Sequence, residues 1–420
     1  MQLTNTNLND VSNYIDTVLN IDKSSWKTNN DVPTPMGCVD EMLSKIPDEL
    51  WSRRELKILD PCCGNGNFLI GATKFLQKYR SFDETLNCLY GNDLNSDRVR
   101  NANNILSSRV HFTMEDFLTN HYDNKFDLIM ANPPYAKIME DGTRASKNHH
   151  LTQDFIMKSL ELLNPNGYLV YILPNHWMSL ADRNHVSHEL TKRKMIHLNI
   201  HLAKKWFPKV GSTFTWFVVQ NTDPDADYQY SVEGTYNKHN FQSLTPSFIR
   251  NYMPLYWTRE VHNILLKTID NNNIEKFKVE TSSDLHRYTK RNIIQDSPSD
   301  TYCHRLIHTP KQTVYASRPH KYQNGWKIFL STTDKYKAFV DNCGMTQSIA
   351  FIRCNSKEEA ELFQRILEHP LYHFLNNITR WGNFNCIRIL QRFPKSTQED
   401  VYRSFEITNE EQKIIENFLH

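Results

Sequence analysis

The sequence predicts an α/β fold in its first half: a mostly parallel sheet closed by an antiparallel last hairpin. A smaller-grained, mixed α+β second half follows. Three observations predict this. The apolar run Phe126-Asp127-Leu128-Ile129-Met130-Ala131 reads as a strand buried on both faces, as in parallel sheets. A glycine turn lies between a short strand at 56–60 and an amphipathic helix reaching about Tyr79. The apolar runs at 195–202 and 214–219 are joined by a short link, which suits a hairpin and not a crossover.

Composition bounds the remainder. A chain of 420 residues is long enough for two domains, expected at 1–224 and 225–420. Hydrophobic residues make up 39%, which places the chain among globular proteins. The net charge of +2 is near neutral, so contact with nucleic acid must come from local patches. Met1-Gln2-Leu3-Thr4-Asn5 has no basic n-region or apolar h-region, and no stretch approaches a membrane span. The eight cysteines include no Cys-x-x-Cys, and Cys62-Cys63 lacks zinc-ligand spacing. The expectation is a reduced intracellular protein, not secreted, without membrane contact or structural metal.

Taken in order, 1–33 is polar and Asn-rich and gives little signal. A helix begins near Val32-Pro33-Thr34-Pro35, with Thr34 as N-cap and Pro35 in the first turn. The glycine turn reads Pro61-Cys62-Cys63-Gly64-Asn65-Gly66-Asn67-Phe68, where Gly64 and Gly66 let backbone approach a ligand. No Gly-Lys-Ser/Thr follows, which argues against phosphate binding. The strand at 88–93 ends in Asp93, placed either to accept hydrogen bonds from ribose hydroxyls or to cap the next helix. A strand at 110–115 leads to Asp116-Phe117, a carboxylate for an exocyclic amine and a ring to cover a purine.

Asn132-Pro133-Pro134-Tyr135 ends the strand at 126–131. Two prolines stop the strand and fix the backbone beyond it. An amide, a backbone carbonyl and an aromatic ring are left at the strand's carboxyl end, where open α/β sheets place ligands. Asn132 and the Pro133 carbonyl can accept both hydrogens of one NH2 group, while Tyr135 stacks on the ring that carries it. Alone in a loop, Asn-Pro-Pro is most often only a turn; its place after a strand and the motifs upstream lift it. The polar stretch 136–150 with Lys137, Arg144 and Lys147 reads as a mobile loop near the site or a plain linker. A helix at 153–163, a turn at Asn164-Pro165-Asn166-Gly167, a strand at 168–173 and a helix at 180–192 complete the half.

These motifs, in this order, resemble the S-adenosyl-methionine-dependent amino methyltransferases of DNA. The resemblance covers about the first 220 residues and is greatest to the gamma group of adenine-N6 enzymes of restriction–modification systems. It implies a Rossmann-like class I methyltransferase sheet followed by a target-recognition domain. It further implies S-adenosyl-methionine as cofactor, held by Thr34, Pro35, Asp60, Cys62, Gly64, Asn65, Gly66, Phe68, Asp93, Leu94, Asp116, Phe117, Asn132 and Phe155. Asn132, Pro133, Pro134 and Tyr135 match the catalytic motif. Phe207, in Trp206-Phe207-Pro208, matches the ring that stacks on a flipped base, with Lys209 beside it. Cys62-Cys63 departs from the usual residues of the first motif, and the loop at Asn65 is less glycine-rich than in other groups.

The implied reaction is methyl transfer to N6 of an adenine extruded from duplex DNA, with no metal and no covalent intermediate. Alternatives are cytosine N4, an RNA base or a protein glutamine as acceptor, or a non-catalytic DNA-binding subunit. Beyond about Pro224, residues 301–333 carry no acid and interleave Arg305, Lys311, Arg318, Lys321 and Lys327 with aromatics. That pattern suits either a DNA surface or a solvated face. Ser356-x-x-Glu359 opens a helix to about Asn377, leading to Arg380, Trp381, Asn383, Asn385 and Arg388, side-chain types that read base edges. The expected partner is double-stranded DNA, with a separate restriction endonuclease as optional functional partner. The expected state is a monomer.

Overall fold

The computed structural model describes residues 7–21, 32–135, 151–181, 185–211, 213–380 and 382–420. Two compact units result, Met1–Trp177 with Arg183–Asn251, and Met178–Asp182 with Tyr252–His420.

The first unit is built on a nine-stranded sheet in the order β3-β2-β1-β4-β5-β7-β6-β8-β9. Its strands are β1 (Ile58–Asp60), β2 (Leu89–Asn92), β3 (His111–Thr113), β4 (Phe126–Ala131), β5 (Leu163–Pro174), β6 (Lys194–Ile200), β7 (Phe214–Gln220), β8 (Gln229–Tyr236) and β9 (His239–Pro246). Neighbours from β3 to β5 are parallel. β7 runs antiparallel between β5 and β6, the expected closing hairpin. This is the class I methyltransferase sheet. Ile58, Leu128, Ile129, Met130, Val170 and Ile172 are wholly buried, as two-faced strands require.

The sheet runs on past the boundary expected at 224. β8 pairs in parallel with β6 and antiparallel with β9, so the first unit reaches Asn251. The inward face of β8 reads Tyr230, Val232, Gly234. A Cβ on Gly234 would lie 2.3 Å from Cζ of Phe241, whose ring from β9 fills that space. One of the three inward positions of this strand is therefore filled by its neighbour.

Two further readings change. Asn164-Pro165-Asn166-Gly167 is a bulge inside β5, since Phe126 pairs with Leu163 and Leu128 with Tyr168. Asn166 takes the left-handed φ of 59°, and its N–H donates to the Asn221 carbonyl at 3.0 Å. The helix after β5 is Val186–Thr191, shorter than expected. Near the N-terminus, Leu8–Tyr14 is α-helical and Ile15–Leu19 forms a π-turn. The next helix is Met36–Leu43 with Pro35, not Thr34, at the N-cap. The Asp16 carboxylate accepts the Met36 N–H at 3.0 and 3.2 Å, so another segment supplies the cap and the Thr34 hydroxyl is left for other work.

The second unit holds two four-stranded sheets, β10-β17-β14-β15 and β11-β13-β12-β16. The strands are β10 (Glu280–Thr281), β11 (Ile294–Gln295), β12 (His304–Thr309), β13 (Gln312–Ala316), β14 (Lys327–Ser331), β15 (Ala338–Asp341), β16 (Gly344–Met345) and β17 (Ile349–Arg353). The helix expected from Ser356 to Asn377 is two, Lys357–Leu367 and Pro370–Thr379. Pro370 cannot continue the first helix and opens the second, with His369 accepting the Leu371 N–H at 3.3 Å.

Candidate functional site

The carboxyl ends of β1, β2 and β4 converge on the glycine turn. Asp60, 1% exposed, ends β1 and accepts the Cys62 N–H at 3.2 Å. Burial holds its carboxyl well above the usual carboxylate range, with Asp93 adding to the lift. The turn passes through Gly64 at φ 52° and Gly66 at φ 89°, a conformation that favours glycine. Asp93, at the end of β2, accepts the Gly64 N–H at 2.9 Å and the Asn95 N–H at 2.8 Å. It thus braces the turn. The helix Ser96–Leu106 is capped by Asn95, which settles the alternative reading of Asp93.

Sequence reasoning passed over Asn92, which is 1% exposed. Its side chain donates to the Pro61 and Glu115 carbonyls at 3.1 and 2.9 Å and accepts from the Thr113 hydroxyl and the Glu115 N–H at 2.8 and 3.0 Å. One amide so ties three loop ends together. Only its place beside Asp93 at a strand end could have signalled it.

The other residues expected on a cofactor divide between surface and core. Leu94 is 61% exposed and Asp116 is exposed, with the Asp116 carboxylate accepting the Leu118 N–H at 3.0 Å. Phe117 is buried, its ring 5.1 Å from Phe155, which is itself buried. Phe68 and Asn65 also turn inward: Phe68 joins the main core, and Asn65 accepts from the Asn101 amide at 3.2 Å. Both were expected against a ligand. Their burial gives them a packing role here.

Asn132 sits where β4 stops. Its Nδ2 donates to the Val32 carbonyl at 3.0 Å and to the Thr34 hydroxyl at 3.1 Å. Its Oδ1 accepts the hydroxyl of Tyr135. The Cys62 thiol reaches the Asn132 backbone carbonyl at 3.6 Å. Burial pushes the Tyr135 phenol well above its ordinary value, so it stays a neutral donor. Pro133 is buried and Pro134 exposed. The structure therefore brings Asn132, Tyr135, Thr34 and Cys62 together, with the amide nitrogen held by Val32 and Thr34 and its oxygen by Tyr135.

Phe207 departs from expectation. It is 3% exposed and packs on Phe214, ring centres 4.7 Å apart. Tyr135 touches the same ring at 6.1 Å. Phe214 so stands against both rings expected to hold a base, and Phe207 is core. Lys209 is exposed. The stretch 136–150 lies outside the described residues.

In the second unit, Arg380 is half-buried and donates to the Asp334 carbonyl at 3.1 Å, while Asn383 and Arg388 are exposed. Trp381 lies outside the described residues. Asn385, expected on a DNA surface, is 2% exposed. Its Nδ2 donates to the Ser331 carbonyl at 2.8 Å and its Oδ1 accepts from the Asn376 amide at 2.9 Å, so the side chain is engaged inside the second unit. In 301–333, Lys327 is 1% exposed, and Arg305 and Arg318 are paired with Asp341 and Asp284. Lys311 and Lys321 are the exposed lysines of that run. The acids that neutralise the two arginines lie outside the acid-free stretch in sequence.

Among the described residues no cluster of His, Cys, Asp and Glu could hold a metal ion, and no helix is long and apolar enough to cross a membrane.

The sheet order, the braced glycine turn and the amide at the end of β4 are those of the class I methyltransferase fold. Residues 45–207 match the model of the Eco57I restriction-modification methylases. The type II methyltransferase M.VspI of Vibrio sp. (strain 343) is 29% identical over 145 residues, 30% of this chain and 33% of that protein. An uncharacterized adenine-specific methylase of Mycoplasma pneumoniae is 34% identical over 111 residues, 25% of this chain and 26% of that one. The chain thus spans a third or less of the length of these relatives. In fold it is similar to the type IIL restriction-modification enzyme MmeI, solved in complex with DNA (TM-score 0.52, 10% identity, 91% of this chain and 68% of that one). A nuclease-deletion mutant of the type ISP enzyme LlaGI is similar to the same degree over 91% of this chain and 46% of its own. Both likenesses cover enough of the chain to include the fold of the second unit.

Proposed function

We propose that this chain transfers a methyl group from S-adenosyl-methionine to N6 of an adenine flipped out of duplex DNA. The observation that carries the reading is the fixed carboxamide of Asn132, whose NH2 end is consumed by Val32 and Thr34. Oδ1, which here accepts the Tyr135 hydroxyl, is the end left for an exocyclic amine, and an acceptor is what that amine requires.

Asp93, the backbone of the Gly64–Gly66 turn and the exposed Asp116 are the groups that would hold the cofactor. Their chemistry fits it: a carboxylate suits ribose hydroxyls, a second carboxylate suits an exocyclic amine, and glycines permit close approach. S-adenosyl-methionine supplies, when bound, an electrophilic methyl on a sulfonium. Asn132 Oδ1 and the Pro133 carbonyl accept the two N6 hydrogens. Those bonds draw the lone pair of the amine out of the ring, and each contributes roughly 1–3 kcal/mol in a dry site. The rigid Pro-Pro backbone orients both acceptors, and orientation supplies the larger share. The Tyr135 ring packs on the base. Phe207 is left out of this role, since its ring is buried on Phe214.

Adenine is favoured over cytosine by the Asn that opens the motif and by the adenine-specific relative. The second unit is proposed as the DNA-recognition part, with Asn383, Arg388 and Lys209 of the first unit as exposed contacts; MmeI, whose fold is similar over most of the chain, was solved on DNA. The test is to incubate the protein with labelled S-adenosyl-methionine and DNA and digest to nucleosides. N6-methyladenine is expected. N4-methylcytosine, or label in RNA or protein only, rejects the reading.

A further inference from the structure

Asn67 is the first residue of the helix Asn67–Leu76, yet its side chain does not cap that helix. It is 5% exposed and points to residues far away in sequence. Its Nδ2 donates to the Thr34 carbonyl at 2.7 Å and to Asn20 Oδ1 at 3.2 Å. Asn20 Nδ2 in turn donates to Asp16 Oδ1 at 2.9 Å. Asp16 accepts the Met36 N–H with both oxygens. Thr34, gripped through its carbonyl by Asn67 and followed two residues later by the Met36 anchor, offers its hydroxyl to Asn132 Nδ2 at 3.1 Å.

We propose that Asn67 is a positioning residue for methyl transfer: with Asn20 and Asp16 it forms a relay that holds Thr34 where its hydroxyl fixes the amide orientation of Asn132. The inference rests on the proposed reaction, because Asn132 matters there through the oxygen it presents. A carboxamide is nearly symmetric in shape, so packing alone does not choose which end faces outward; hydrogen-bond partners do. Two acceptors behind Asn132, Val32 O and Thr34 Oγ1, make that choice. Both lie in the extended segment just before the helix Met36–Leu43, a segment that pairs with no strand among the described residues. The relay anchors that segment at the Thr34 carbonyl and the Met36 N–H. Asp16 and Asn20 lie ahead of residue 45, where the methylase match begins.

The test uses full-length Asn67→Ala and, as the milder break one link further out, full-length Asn20→Ala. Two readouts are taken. One is the single-turnover rate of methyl transfer to DNA with S-adenosyl-methionine saturating. The other is the position of the Asn132 side-chain amide in a 1H–15N spectrum of asparagine-labelled protein without cofactor, assigned through Asn132→Ala. Asn67→Ala is expected to slow transfer by about 10- to 100-fold, since small displacements of a positioned group cost that much. Asn20→Ala is expected to slow it several-fold, and both variants move the Asn132 amide signal while the DNA concentration for half-saturation stays within a factor of two. A wild-type rate, or a slowed rate with the Asn132 amide unmoved, overturns the relay. If the wild-type protein transfers no methyl to DNA, the proposed reaction fails, and the amide signal still decides the relay: moved in both variants supports it, unmoved rejects it.

Discussion

Three groups claim the carboxamide of Asn132: the Val32 carbonyl and Thr34 hydroxyl on its nitrogen, and the Tyr135 hydroxyl on its oxygen. The third claim competes with the proposed substrate, because an amine needs the same lone pairs. In the proposed reaction Tyr135 thus has two opposed effects, a ring that packs on the base and a hydroxyl that competes with the amine for Oδ1. Tyr135→Phe keeps the ring and removes the competitor. Single-turnover methyl transfer by that variant is expected at the wild-type rate or a few-fold faster. Tyr135→Ala loses base stacking worth roughly 1–3 kcal/mol, so transfer slows by about 10-fold or more. A Phe variant as slow as the Ala variant would show that the hydroxyl itself is needed. Asn132→Ala removes the acceptor outright. Transfer is expected to fall by at least about 100-fold, with cofactor affinity, measured by calorimetry, within about 3-fold of wild type. The four-residue motif was legible in the sequence because it follows a buried strand. The competition was not, because it depends on the rotamer of Tyr135.

At the scale of elements, β6 is followed directly by His201, which adopts a left-handed φ of 67° and is 7% exposed. The Asn175 amide meets its Nε2 at 3.0 Å. Burial lowers its pKa from 6.5 to about 4. The unfolded chain, at the ordinary value, binds the proton more readily than the folded one. Stability is therefore complete above pH 6.5 and is lost as pH falls from 6.5 through about 4. The loss is on the order of 3 kcal/mol for this one group. His201→Asn tolerates the same backbone and does not titrate. Urea unfolding of that variant between pH 7 and 4.5 is expected to show a shallower decline than wild type, and parallel curves would reject the assignment. Strand ends of this kind escape a sequence reading, since nothing near His201 announces positive φ. The same holds for the Asn-rich start of the chain. Asp16 and Asn20 gave no periodic signal, and their partners lie at Met36 and Asn67.

At the scale of the molecule, the parallel core of the sheet was legible and its far edge was not, because Gly234 borrows the ring of Phe241. The consequence can be measured by truncation. A chain ending at 224 loses β8 and β9, and with them Tyr230, Val232 and Phe241, which are 4%, 0% and 8% exposed. It also leaves one edge of β6 unpaired over His197–Ile200, the stretch that β8 covers. Burying each such side chain stabilises by about 1.5–3 kcal/mol, and their combined loss approaches the net stability of a typical domain. Glu233 leaves as well, the carboxylate that meets the 1%-exposed His197 at 3.1 Å. A chain ending at 251 keeps all of these but strands Met178–Asp182, which belongs with the second unit: Met178 there accepts the Met253 N–H at 2.8 Å, and Leu180 accepts the Cys386 thiol at 3.2 Å. The expected order of soluble yield and melting temperature is the full chain, then 1–251, then 1–224, with the last largely insoluble for want of a covered edge. Replacing Met178 and Leu180 by serine is expected to raise the soluble yield of 1–251 while leaving 1–224 unrescued. Equal melting temperatures for 1–224 and 1–251 would mean that β8 and β9 are an appendage and that the functional sheet ends at β6.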